Sequence, residues 1–108
     1  MIELPYPPSI LNPNTRAHWR KKHAAAKEYK QSCLLLLAAQ KPWPTIKFAM
    51  QFFPPDKRRR DRDNTIAAAK YLQDAIGEYW GIDDSEFEIT YLPFGEPVKG
   101  GKVVICVD

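Results

Sequence analysis

The sequence predicts an α+β domain, a small mixed β-sheet covered by two helices in the order β-α-β-α-β-β. Three observations lead there. Two long stretches repeat apolar residues at the helical period. One stretch between them alternates apolar and polar residues at the strand period. Pro- and Gly-rich clusters separate these stretches. With 108 residues, no repeat and no low-complexity tract, residues 1–108 read as a single domain. Hydrophobic residues at 44% and charged residues at 27% exclude a disordered chain.

Residues 1–4 read as a short strand, and Pro5-Tyr6-Pro7-Pro8-Ser9 then exclude regular helix or central strand. The first helix starts between Thr15 and Trp19 and runs to about Gln40. Ala26, Tyr29, Cys33, Leu36 and Leu37 mark its apolar face, and Pro42 and Pro44 stop it. From Ile46 to Phe53 the even positions Ile46, Phe48, Met50 and Phe52 form one apolar strand face, and Pro54-Pro55 end it. A second helix spans about Asn64 to Tyr79, with Ile66, Ala69, Leu72 and Ile76 on one side. Gly81 with Asp83-Asp84 reads as a turn. Phe87–Leu92 and Lys102–Val107 read as the last two strands, joined by a loose hairpin over Pro93–Gly101.

The net charge of +3 hides an uneven distribution. Residues 16–30 carry six bases and one acid, residues 57–62 carry five bases around Asp61, and residues 74–96 carry seven acids and no base. A surface that attracts polyanions is expected from the basic segments. Arg16, Arg20, Lys21 and Lys22 in the first helix are candidate phosphate contacts, with His18 and His23 as phosphate contacts or solvated groups. No apolar run is long enough to span a bilayer, and Met1-Ile2-Glu3-Leu4 does not read as a targeting segment, so a cytoplasmic protein is expected. Cys33 and Cys106 stand outside any metal-binding spacing and read as reduced thiols. There is no zinc spacing, no nucleophilic triad and no Gly-rich phosphate loop, so no nucleotide cofactor is expected.

Chemistry concentrates in Lys57-Arg58-Arg59-Arg60-Asp61-Arg62-Asp63-Asn64, between a strand end and a helix start. In extended backbone Asp61 and Asp63 project to one side. Two carboxylates held close repel unless a cation neutralises them, and hard oxygen donors of this kind suit Mg2+. Asp63 before Asn-Thr-Ile also reads as an N-cap, whereas the ordinary role for Asp61 is ion pairing with its arginines. Asp83 or Asp84 is a third carboxylate only if the chain returns the turn to the start of the second helix, or if a dimer partner supplies it. Lys70 lies seven residues after Asp63 on one helical stripe. It reads either as an i,i+4 partner of Asp74 or as a cation for the scissile phosphate.

Arg60-Asp61-Arg62-Asp63-Asn64, a helix with a lysine, and then Trp80-Gly81-Ile82-Asp83-Asp84 resemble the RusA family of crossover junction endodeoxyribonucleases, often encoded by phages and prophages. The likeness extends to the amino-terminal strand with its proline loop and to the Gly-rich approach to the last strand. It implies a single RusA-like endonuclease domain, acting as a homodimer that resolves four-way (Holliday) DNA junctions in recombination and repair by Mg2+-dependent phosphodiester hydrolysis. Asp61 and Asp63 match the first two catalytic, metal-holding aspartates, and Asp84 matches the third. Arg60 matches a junction-engaging base. Lys70 matches the catalytic lysine if about one turn is inserted after Asn64. Lys57, Arg58, Arg59 and Arg62 extend the expected DNA path. The Cys33–Leu37 stretch, with its four consecutive leucines, and Phe52-Phe53 are the apolar candidates for the dimer interface. Two other readings fit the same residues: a non-catalytic DNA-binding module, and a metal-dependent nuclease acting on flap or RNA substrates.

Overall fold

The computed structural model describes residues 1–107. The chain builds β1 (Ile2–Leu4), α1 (Trp19–Gln40), β2 (Lys47–Phe53), α2 (Arg62–Ala68), α3 (Lys70–Trp80), β3 (Glu88–Tyr91) and β4 (Lys102–Cys106), with one-turn 3-10 helices at Ser9–Leu11 and Asp84–Glu86. It is the expected α+β arrangement with a mixed four-stranded sheet, in spatial order β1-β4-β2-β3.

The alternation in β2 places Phe48, Met50 and Phe52 inside, while Lys47 is exposed and Ala49, Gln51 and Phe53 are half-buried. Ile46, expected on the inner face, lies before the strand and is 45% exposed. The core joins Met50, Val103 and Ile105 of the sheet to Cys33 and Leu37 of α1 and to Leu72, Ala75 and Ile76 of α3, all without solvent exposure. Truncating Leu72 or Ile76 to alanine should cost about 2–5 kcal/mol, a large share of the roughly 5–15 kcal/mol available to such a domain. Polar bonds hold the edges. Tyr29 Oη donates to the Pro5 carbonyl at 2.8 Å, tying the proline loop to α1. The Gln40 amide exchanges two hydrogen bonds with the Glu3 backbone and so occupies the open side of β1. Cys33 and Cys106 are free thiols, and burial pushes Cys33 up to about 11. Among the described residues, no helix is long and apolar enough to cross a membrane.

Three expectations about the elements are corrected. The last two strands do not form a hairpin. β3 pairs parallel with β2, and β4 pairs antiparallel with its other side. The link between them follows the end of β2, where Leu92, Gly95 and Val98 N–H groups donate to Met50, Phe52 and Pro54 carbonyls. A parallel pair requires a crossover of a dozen or more residues, and the helical segment 62–80 provides it. The second helix is broken at Ala69 (φ −81°, ψ 2°), whose N–H is shared between the Thr65 and Ile66 carbonyls. Finally, of the four leucines Leu37 is buried and Leu34 packs on the core, whereas Leu35 (65%) and Leu36 (41%) face solvent. Phe52 is buried and therefore unavailable to a partner.

Candidate functional site

The loop 54–61 leaves the end of β2 and delivers the basic run to the start of α2. Asp61, not Asp63, is the N-cap there: its Oδ1 accepts from the Asp63 N–H at 2.9 Å, and its carbonyl accepts from Thr65 N–H and Thr65 Oγ1. Asp63 is already helical, in the first turn, where a carboxylate is favoured by the exposed N–H groups. The two aspartates are therefore joined by a cap bond at the start of a helix rather than lying along an extended strand, and both are exposed. Asp61 keeps Oδ2 outside the cap bond. The residue type suited either position, and the start of α2 at Arg62 decided which one caps.

Asp56 was not anticipated from sequence as a site residue, yet it organises the basic loop. Its Oδ1 accepts from the Arg58 N–H (2.9 Å) and from Arg60 Nη2 (2.8 Å), and its Oδ2 accepts from Arg58 Nη2 (3.1 Å). These bonds, the backbone one first, hold the Asp56 carboxyl down at about 2. Arg60 also donates to the Asp56 and Arg58 carbonyls and lies 6.0 Å from the Tyr6 ring centroid. With its side chain 19% exposed, Arg60 clamps the loop. Arg62 donates to the Tyr91 carbonyl at 2.7 Å and pins α2 to the end of β3. Among the described residues, Lys57 and Arg59 are exposed and form no ion pair. The signal for Asp56 was present: an Asp two residues before an amide it can accept from, just after Pro54-Pro55, is turn chemistry.

A cavity of about 310 Å³ opens beside this cap, lined by Tyr6, Asn12, Asn14, Arg59, Asp61 and Asn64 among others. Its size is at the lower end for a small-molecule site. The Tyr6 hydroxyl is buried without a hydrogen-bond partner. The cavity joins the proline loop to the aspartate cap, two segments some fifty residues apart in sequence.

Asp84 does not reach this place in the same chain. The β2-helix-β3 crossover puts Asp61 at one end of the unit and Asp83-Asp84 at the other. Gly81 closes α3 in the left-handed conformation (φ 70°), and the Ile82 N–H donates to the Gly77 carbonyl. The following turn doubles back along α3 and lays Asp84 against Gly77 and Asp74. Burial raises the Asp74 carboxyl above its ordinary value, and contact with Asp84 adds to the rise. Asp83 caps the 3-10 turn by accepting from the Ser85 N–H at 3.0 Å, which lowers its carboxyl. Asp74 lies eleven residues after Asp63, roughly 16–17 Å along a helical rise. Among the described residues, no three His, Cys, Asp or Glu side chains gather in one chain to hold a metal ion. Lys70 opens α3 just after the break, so its expected stripe with Asp63 is interrupted. It is exposed, forms no close ion pair with Asp74, and still lowers the Asp74 carboxyl by its charge.

The basic start of α1 flanks the cavity. Lys22 Nζ donates to the Asn12 carbonyl at 3.4 Å, so this helix end and the Asn12–Asn14 loop are joined. Arg16, Arg20 and Lys21 are exposed. His18 caps the helix, its Nδ1 accepting from the Arg20 N–H at 3.2 Å. No acid lies in the first turn, so the cations collect at the end where the helix dipole disfavours them.

No family model matches the chain. It is 30% identical over 114 residues to an uncharacterized protein of Xylella fastidiosa (strain Temecula1), an alignment that takes in 98% of this chain and 74% of the relative. At that identity over nearly its whole length, the chain belongs to the same family as the uncharacterized Xylella protein.

Proposed function

We propose that this protein is a Mg2+-dependent endodeoxyribonuclease of the RusA type, which resolves four-way DNA junctions in recombination and repair as a homodimer. One observation carries the reading: Asp61 caps α2 and lines a cavity together with the exposed Arg59, and Asp63 follows it in the first turn of the helix. Carboxylates set into a cationic surface suit a reaction on a phosphodiester, where the cations hold the backbone and the acids meet a hard cation.

The donor set tests the fit of Mg2+. Two exposed carboxylates from one turn, with room for water, match an ion that takes one or two carboxylates and keeps several waters. Asp61 and Asp63 would hold it, and Asp84 of a second copy would complete the set, since the same chain turns Asp84 toward Asp74. When bound, the ion supplies an acidified water and neutralises phosphate charge. The chain's own residues do the rest. Arg59 and Lys57 attract and align the backbone. Asp56 and Arg60 keep the loop in register, and Lys70 places a positive charge on the same helical segment. Dimerisation follows from the substrate, because two opposed cuts match a C2 pair of sites. The exposed Leu35 and Leu36 offer apolar surface for it.

The second reading, a non-catalytic DNA-binding module, is favoured by the cap role of Asp61 and by the missing third carboxylate within one chain. Cleavage of junction, duplex, flap and RNA substrates, with and without Mg2+, decides. Mg2+-dependent cutting confined to junctions supports the proposal. Binding without cutting selects the module, and preference for flaps or RNA selects another nuclease.

A further inference from the structure

Trp19 is 67% exposed at the first position of α1, a placement that no packing requirement explains. Its neighbours hold it in place. The His18 ring stacks on it at 5.7 Å between centroids and 28° between planes. The Arg20 guanidinium lies 5.3 Å from its ring centroid. An indole steadied by an imidazole and a guanidinium, in a segment that also carries the exposed Arg16 and Lys21, combines a π-face with positive charge. That combination fits unpaired nucleotides, whose bases stack and whose phosphates attract cations. Double-stranded DNA offers the phosphates but keeps its base faces stacked.

The patch is also continuous with the aspartate cap. Lys22 is bonded to the Asn12 carbonyl, and Asn12, Asn14, Arg59 and Asp61 line one cavity. By contrast Trp43, 87% exposed, shares a shallow cavity with Lys41, Tyr79 and Trp80, and among the described residues neither a stacked ring nor a guanidinium lies on its indole. We propose that Trp19, with His18 and Arg20, is a stacking platform for an unpaired base of a nucleic-acid strand that runs on toward Asp61. The proposal rests on the nucleic-acid reading above and adds a preference for strands that expose an unpaired base over plain duplex.

The test is equilibrium binding of the full-length chain to a fluorescent oligo-dT strand and to a blunt duplex of equal length, in EDTA so that no cleavage intervenes. Stacking of one base is worth roughly 1–3 kcal/mol, so Trp19→Ala should weaken oligo-dT binding by about 5- to 150-fold and duplex binding by less than about threefold. Trp19→Phe should retain most of the affinity, and Trp43→Ala should bind both strands as wild type does. Oligo-dT should also quench tryptophan emission in the wild type and much less in Trp19→Phe, a readout that a folding defect in the alanine variant leaves intact. Equal losses on the two DNAs, or no loss, would overturn the platform. A wild type that binds oligo-dT through Trp19 yet cuts no four-way junction once Mg2+ is supplied would overturn only the nuclease. A wild type that binds neither DNA would overturn both.

Discussion

Alanine at position 77 sets two opposed effects against each other. Gly77 is buried inside α3 with ordinary helical backbone, so helix propensity alone predicts a gain of about 1 kcal/mol for Gly77→Ala. The tertiary structure predicts the opposite sign. A Cβ built there would stand 2.7 Å from the Ile82 carbonyl oxygen and 3.6 Å from the Asp84 Cβ. The first contact is with backbone, and the Ile82 N–H is itself bonded to the Gly77 carbonyl, so the turn cannot move away freely. Overpacking of this kind costs about 1–3 kcal/mol. The net expectation is a loss of roughly 0–2 kcal/mol. A loss near 1 kcal/mol would lower Tm by about 4–8 °C in a domain of this size. Urea unfolding followed by circular dichroism measures it, with an unchanged m-value confirming that the same surface is exposed. A variant more stable than wild type by about 1 kcal/mol would show that the turn does not press on α3 and that Asp84 is not held against Asp74.

Asp61→Asn keeps a capping oxygen and should unfold like wild type, whereas Asp61→Ala should lose about 1 kcal/mol; both should lose junction cleavage while binding stays intact or tightens. Cleavage by Asp61→Asn within tenfold of wild type would end the metal-site reading. The raised Asp74 carboxyl means that the folded state holds the extra proton, so stability should fall as pH rises from the ordinary carboxylate value through the raised one. Asp84→Asn removes the neighbouring charge but not the burial, and should remove part of that fall; Tm profiles from pH 4 to 7 that superimpose on wild type would refute the contact. Sedimentation equilibrium at micromolar concentration should give twice the 12.4 kDa chain mass, and a monomer that still resolves junctions would contradict the paired-site model. Oligonucleotide affinity should fall by roughly 10³–10⁵ between 50 and 200 mM salt if a dimer neutralises 6–10 phosphates, and a flat response would detach the basic segments from the DNA path.

Local physics determined much of this protein from sequence alone. Strand alternation placed Phe48, Met50 and Phe52 inward, prolines bounded α1 and β2, and the charge runs located the basic loop and the basic helix start. Each of these depends on residues within a few positions of one another. What depended on distant partners was decided only by the tertiary structure. β3 chose the side of β2 away from β4, because pairing parallel with β2 lets a helical crossover cover the sheet, and no local residue pattern records that choice. The same crossover parted Asp61 from Asp84, since a strand-helix-strand unit places its two connecting turns at opposite ends. Arg58 and Arg60 looked like free cations in the sequence, but their charge is engaged by Asp56 through a loop geometry that composition does not encode. The break at Ala69 likewise separated the stripes of Lys70 and Asp63, because a few tens of degrees in one ψ angle redirect every side chain that follows.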